Sequence, residues 1–210
     1  MELGESVGPS DMNKYIVITS IQSVGEVVSK YASLPGWTLV LVGDVKGPNR
    51  VDDRRIVFLD IEAQARLGLT YEPLCPKNHY SRKNIGYLYA MRAGADIIGE
   101  SDDDNMPYDH WGSDFTFDRH ELPTVTGTKH HNVYKRFTNA HVWPRGFPLD
   151  QVLAPDSSVL ESKTGKVGVW QDLVDGDLDV DAIYRRRGDG YFHACGEGGI
   201  RSVAGIDICA

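Results

Sequence analysis

The sequence predicts an α/β fold with a mostly parallel central sheet, and three observations predict it. Two apolar runs, YIVITS over Tyr15–Ser20 and WTLVLV over Trp37–Val42, are too continuous for strands wetted on one face. Strand-like and helix-like stretches then alternate as far as Gly99, the signature of parallel strands joined by crossover helices. Finally, three consecutive aspartates, Asp102, Asp103 and Asp104, follow the last apolar run of the series. Open α/β sheets bind ligands at the carboxyl ends of their strands, which is where this cluster falls.

The elements follow in order. Tyr15–Ser20 is β-branched and apolar enough for a buried strand. Val24, Val27, Val28 and Tyr31 recur at helical spacing, and Pro35-Gly36 stops that helix. Trp37–Val42 is the second strand, ended by Gly43-Asp44, and Lys46 to Asp53 is a turn-rich loop. Ile56–Leu59 is a third short strand. Glu62 to Leu67 reads as a short helix closed by Gly68, and a loop with Pro73 and Pro76 follows. Ser81 is placed to cap the next helix, with Ile85, Leu88 and Tyr89 on its inner face and Gly94 as its stop. Asp96 to Gly99 is the fourth strand. Beyond Trp111 the pattern loosens. Thr124–Thr126 reads as a strand, Trp143-Pro144-Arg145-Gly146 as a structured loop, Val167–Val174 as a helix and Ala182–Tyr184 as a strand.

Composition narrows the function. The 210 residues suffice for a sizeable core in one domain, or one and a half. A formal net charge of -8 argues against a nucleic-acid or anionic-membrane binder, which would carry a basic face. No run approaches the roughly 18 apolar residues of a membrane span. The polar stretch MELGESVGPSDM reads as a mobile leader (1–13), with Met12 as an alternative start, and the last residues (186–210) as a glycine-rich tail. Cys75, Cys195 and Cys209 are far apart and form no CxxC pair, which points to reduced thiols in a cytosol-like compartment; the expected location is cytoplasmic or otherwise soluble.

The aspartates carry the chemistry. Side by side at about 6 Å, each pair of carboxylates repels by about 3 kcal/mol at an effective dielectric near 20, and Glu100 adds to the crowding. A hard divalent cation, Mg²⁺ or Mn²⁺, turns that repulsion into binding; without one, the cluster is a solvated acidic turn. Arg82 and Lys83 sit in the first turn of a helix, where the macrodipole disfavours cations. Either both face solvent or an anion docks there, and a diphosphate is a ligand that a metal and two cations would share. The later stretch Asp175-Gly176-Asp177-Leu178-Asp179-Val180-Asp181 is no EF-hand loop, because Val180 stands where glycine is required and the terminal glutamate is missing; Pro107 spoils the same count from Asp102. It is a polar turn, or else it offers Asp179 or Asp181 as a general base or sugar-binding group. Trp143 and Arg145 offer a stacking face and a hydrogen-bond fork for a sugar, the alternative being ordinary core and surface positions. His130-His131 lacks partners at zinc-ligand spacing, and Gly196-Glu197-Gly198-Gly199 lacks the lysine and hydroxyl of a phosphate loop.

Several ordered motifs then carry a resemblance: Val42-Gly43-Asp44; HYSRKNIGYLYA from His79 to Ala90, with Gly94-Ala95; Asp102-Asp103-Asp104-Asn105; WPRGFPL from Trp143 to Leu149; and Asp175-Gly176-Asp177 with Asp179-Val180-Asp181-Ala182. Together, from about Tyr15 to Arg185, they resemble the STELLO-like glycosyltransferases and, more distantly, virus-encoded GT-A glycosyltransferases. The resemblance implies a GT-A, Rossmann-like domain over 14–185 and a hexosyltransferase-like enzyme. Its donor would be a nucleotide-diphosphate sugar, a UDP-sugar first, its acceptor an unidentified glycan or protein, and its ion Mn²⁺ or Mg²⁺. It implies Asp104 as the foremost metal ligand, with Asp102 a second ligand or a contact to the ribose or a metal-bound water. Asp103, Arg82, Lys83, Thr19, Asp44, Trp143 and Arg145 would surround the donor. Asp179 and Asp181 remain candidates for base or sugar contact, and His193 for a late metal ligand. Two other functions stay open: a nucleotide-sugar-binding module without turnover, and a sugar nucleotidyltransferase. The latter calls for a glycine-rich basic loop after the first strand, whereas Ile21 to Gly25 holds one glycine and no cation.

Overall fold

The structure, a computed structural model, describes residues 12–113, 115, 119–137, 141–155, 157–173 and 180–186. The chain divides into two compact units, Met1–Asp114 and Phe115–Ala210.

In the first unit the apolar runs become β1 (Lys14–Ser20), β2 (Trp37–Gly43), β3 (Ile56–Leu59) and β4 (Ile97–Glu100). They form one sheet in the order β3-β2-β1-β4, and every pairing is parallel. The helices are α1 (Glu26–Ala32), α2 (Ile61–Arg66) and α3 (Lys83–Arg92). The result is α/β and Rossmann-like, consistent with a GT-A fold. Successive side chains of a strand point to opposite faces, and here both faces are covered. Ile16, Ile18, Leu39 and Leu41 pack with Val28 and Tyr31 of α1, while Val17, Val40 and Val42 pack on the other face with Ala63 of α2 and Tyr87 of α3. That two-sided burial is why the strands read as unbroken apolar runs.

Alpha3 lies close against the sheet because of Gly86. A Cβ there would meet Val17 Cγ1 at 2.4 Å and Val42 Cγ2 at 2.7 Å. Its inner face is Ile85, Gly86 and Ala90, whereas Leu88 and Tyr89 are only partly covered. Nor is Ser81 its cap. A 3-10 turn, Tyr80–Arg82, precedes α3, and the residue capping that turn is His79, whose ring accepts the Ser81 N–H. Gly94 ends α3 at φ +81, a left-handed conformation that glycine adopts without steric cost.

The strand order carries a functional consequence. From β1 the chain steps outward through β2 to β3, then returns past β1 to place β4 on its other side. The carboxyl ends of β1 and β4 therefore flank a topological switch point, the place where open α/β sheets leave a crevice.

The second unit contains an antiparallel ribbon of β5 (Arg119–Thr126) and β6 (Val159–Lys166), and a short helix α4 (Ala182–Arg186). Two expectations fail here. Residues 167–173 are not helical: Val167 is buried in irregular backbone just past β6, and Trp170 stacks on Phe115 at 6.1 Å. Ala182–Tyr184 is helix rather than strand, because the Asp181 carboxylate accepts the Ile183 N–H at 2.8 Å and caps the turn. No helix among the described residues is long and apolar enough to cross a membrane.

Candidate functional site

Beta1 ends in Thr19 and Ser20, and β2 runs through Gly43 into Asp44. Asp44 ties this strand end to the segment before α3: Oδ1 accepts the Val45 N–H at 2.7 Å and Oδ2 the His79 N–H at 3.2 Å. Burial pushes its carboxyl up, but the N–H groups of Asn78, Val45 and His79 outweigh that and hold it below the usual carboxylate range. Asn78 adopts φ +51, and its own N–H and that of His79 both reach this carboxylate.

The acidic turn leaves β4 at Glu100 and is anchored at nearly every residue. Tyr31 Oη lies 2.7 Å from Ser101 Oγ. Lys83 Nζ donates to Asp102 Oδ1 at 2.7 Å, to the Ser101 carbonyl at 2.9 Å and to Tyr80 Oη at 2.8 Å, with Glu100 Oε1 at 3.3 Å. Burial lowers the lysine's pKa, yet the bonds to Asp102 and Tyr80 raise it by more, so this ammonium stays charged. Ser20 Oγ donates to Asp103 Oδ2 at 2.5 Å, stitching the end of β1 to the turn. Asp104 differs: it is exposed and makes no hydrogen bond or ion pair among the described residues.

Arg82 is as buried as Lys83, each only 1% exposed. Its Nε and Nη2 donate to Gln64 Oε1 at 2.9 and 2.5 Å, Nη1 to the Cys75 carbonyl at 3.0 Å, and Nη2 to Glu72 at 2.9 Å. Gln64, fully buried, returns its Nε2 to the carbonyls of Gly43 and Leu59 at 2.7 Å each. Neither cation faces open solvent, and four of the five guanidinium N–H groups are already engaged within the fold.

These residues converge. A cleft of about 370 Å³ at the carboxyl ends of β1, β2 and β4 is lined by Thr19, Asp44, Arg82, Asp102, Asp103 and Asp104. Lys83 is not on its wall. Val42, Gly43, His79 and Tyr80 of the quoted motifs also line it, and Ser20, Ile21, Lys46 and Asn78, which sequence reasoning missed, complete it. Most stand one or two places from residues the sequence did single out, so strand-end position was the signal available.

Trp143, Arg145 and Asp181 belong to the second unit, on a framework of their own. Trp143 Nε1 donates to the Phe147 carbonyl at 3.2 Å. The Asp181 N–H donates to the Trp143 carbonyl at 3.0 Å, beside a Pro144–Val180 bridge. The structure thus places Trp143 and Asp181 side by side. Asp179, Asp175 to Asp177, His193, Cys195 and Cys209 lie outside the described residues.

No family model matches the chain. Two curated proteins do: Probable glycosyltransferase STELLO1 and Probable glycosyltransferase STELLO2 of Arabidopsis thaliana, each 28% identical over 188 residues, 81% of this chain and 24% of the relative. The chain is similar to the STELLO glycosyltransferases. That bears out the likeness read from the ordered motifs. The chain spans about a quarter of the length of these STELLO relatives.

Proposed function

We propose that this chain binds a nucleotide-diphosphate sugar, a UDP-sugar first among them, together with a divalent cation, and acts as a glycosyltransferase. The observation that carries this reading is the acidic turn at the switch point. Two of its carboxylates are anchored within the fold while Asp104 stands open in the cleft.

Charge supports the cation. Asp44, Asp102, Asp103 and Asp104 line the cleft against Lys46 and Arg82, and Arg82 is already paired with Glu72. A diphosphate alone would meet a surplus of negative charge. Among the described residues no cluster of three or more His, Cys, Asp or Glu side chains is arranged as a metal site. Mg²⁺-type sites use one or two carboxylates and complete their shell with substrate phosphates and water, so an ion here would arrive with its substrate. Asp104 would hold the ion, with Asp102 contributing the oxygen not engaged by Lys83. When bound, the ion supplies Lewis-acid stabilisation of the leaving diphosphate.

The protein's own groups do the rest. Thr19 and the Asp44 carboxylate, kept ionised by its N–H partners, would face the nucleoside. Arg82, fixed by Gln64 and Glu72, would present its remaining Nη1 proton as a rigid anion contact. In the second unit, Trp143 and Arg145 would offer a sugar a stacking face and a hydrogen-bond fork, and Asp179 and Asp181 are the candidates for base or sugar contact. The loop after β1 favours transfer over nucleotidyl chemistry, because Ile21 to Gly25 offers no cation to a triphosphate.

Calorimetric titration tests the reading. UDP should bind in the presence of Mn²⁺ and bind at least tenfold more weakly in EDTA. Asp104→Ala should abolish the metal-dependent part; equal binding by this variant would refute the assignment. A UDP-sugar hydrolysis or transfer assay then addresses turnover, and pyrophosphate release from sugar phosphate and UTP would favour a nucleotidyltransferase instead.

A further inference from the structure

We infer that Lys83 is the positioning residue of the acidic turn, acting on donor and metal through Asp102 and the Ser101 carbonyl rather than by touching the diphosphate itself. The inference rests on the reading of the cleft as a metal–nucleotide site, and goes beyond it by naming what holds that site in shape.

Three observations carry it. The first is saturation. An ammonium has three N–H donors, and the Lys83 ammonium has four oxygens within reach, on Tyr80, Ser101, Asp102 and Glu100. No donor remains for a phosphate. The second is place. Lys83 is 1% exposed and absent from the cleft wall, whereas Asp102, to which it donates, is on that wall. The third is leverage. Lys83 is the first residue of α3, whose distance from the sheet is fixed by Gly86 against Val17 and Val42. The ammonium therefore sits at a set distance from β1, and everything it grips is registered to the sheet.

A lone cation at a helix N-terminus is electrostatically misplaced, and the carboxylates of Asp102 and Glu100 compensate for that placement. With Ser101 also held by Tyr31 and Asp103 by Ser20, Asp102 and Asp103 reach the cleft already anchored, and Asp104 lines it beside them without such a bond among the described residues. Lys83 likewise lowers the repulsion among the acids, so the turn keeps its shape before any ion arrives.

A double-mutant cycle with a ligand-independent companion tests this on the full chain. Lys83→Met should weaken Mn²⁺-supported UDP binding at least tenfold in wild-type background. In an Asp102→Ala background the same change should cost at least threefold less than in the wild-type background, because one of the two groups through which Lys83 acts is gone. Losses that multiply across the two backgrounds would overturn the inference and make Lys83 a direct phosphate contact. Amide hydrogen exchange reads the same question without ligand. Lys83→Met should raise exchange at residues 101–105 while the amides of β1 and β2 stay protected. Unchanged exchange at the turn, or a gain spread across the whole sheet, would overturn it, the latter by marking a merely structural lysine. Should Lys83→Met fail to fold, Asp102→Asn loosens the same contact from its half-exposed side and should show the same local gain. Wild-type protein that binds no UDP with Mn²⁺ would instead defeat the functional reading, and the exchange result would still decide Lys83.

Discussion

Asp44 shows how a single residue links stability to the cleft. Its carboxylate is an acceptor for backbone N–H groups from two separate segments, and these hold its folded pKa below the ordinary carboxylate range. The sign follows from linkage. A carboxyl depressed in the folded state contributes stability in full above its unfolded pKa and loses it as pH falls through the folded value. Asp44→Asn should therefore cost about 1 kcal/mol at pH 7, a modest figure because the group is partly exposed and its bonds are to neutral donors. It should also flatten the acid limb of stability, with wild type and variant converging as pH drops below about 4. Urea midpoints measured from pH 7 to pH 2 check this; parallel curves would remove Asp44 from the acid response. Such detail was only half legible in the sequence. Asp44 and Asp102–Asp104 could be picked out because acids at strand ends are costly without a purpose. The fates of Arg82 and Lys83 could not, since Gln64, Glu72, Glu100 and Asp102 lie 10 to 19 positions away and only the folded chain brings them in.

At the scale of elements, legibility follows burial. Strands covered on both faces leave unbroken apolar runs, and β1 to β3 were placed within a residue or two from those runs alone. Beta6 left no such trace. Its sequence, VLESKTGK, is exposed almost throughout and, among the described residues, pairs with β5 alone, so nothing selects for apolar alternation. Residues 167–173 misled in the opposite way: their apolar spacing serves local packing, such as Trp170 against Phe115, rather than a helix face. Alpha3 carries the strongest element-level prediction. Gly86→Ala removes a helix-disfavouring glycine, worth up to about 1 kcal/mol in its favour. Its methyl, however, would lie 2.4 Å from Val17 and 2.7 Å from Val42, on β-branched side chains with little freedom to move. Overpacking of this kind costs about 1–3 kcal/mol. The net expectation is a loss of about 1–2 kcal/mol in chemical denaturation, accompanied by weaker UDP–Mn²⁺ binding as α3 lifts and carries Lys83 with it. A more stable variant would show that the helix can slide without cost.

For the molecule as a whole, charge decides what can bind and under what condition. A chain of net charge -8 repels polyanions generally, and its cleft is acidic as well, so an anionic ligand needs a cation to enter with it. Binding of the two should therefore be cooperative. Neither UDP alone nor Mn²⁺ alone should stabilise the chain much, because the first meets Asp102 to Asp104 unscreened and the second finds only one or two carboxylates. Together each supplies what the other lacks. At a hundredfold excess over Kd, a ligand confined to the folded state adds about 2.7 kcal/mol, which for a chain of this length corresponds to a rise in Tm of about 5–10 °C. A thermal-shift matrix of nucleotides with and without Mn²⁺ reads this directly, and EDTA should reverse the gain. Equal shifts from UDP with and without metal would mean that the acidic turn does not hold an ion. A metal-dependent shift unaccompanied by donor hydrolysis or transfer would mark a binding module, because binding requires the donor cleft alone, whereas transfer also requires an acceptor held in line with the anomeric carbon.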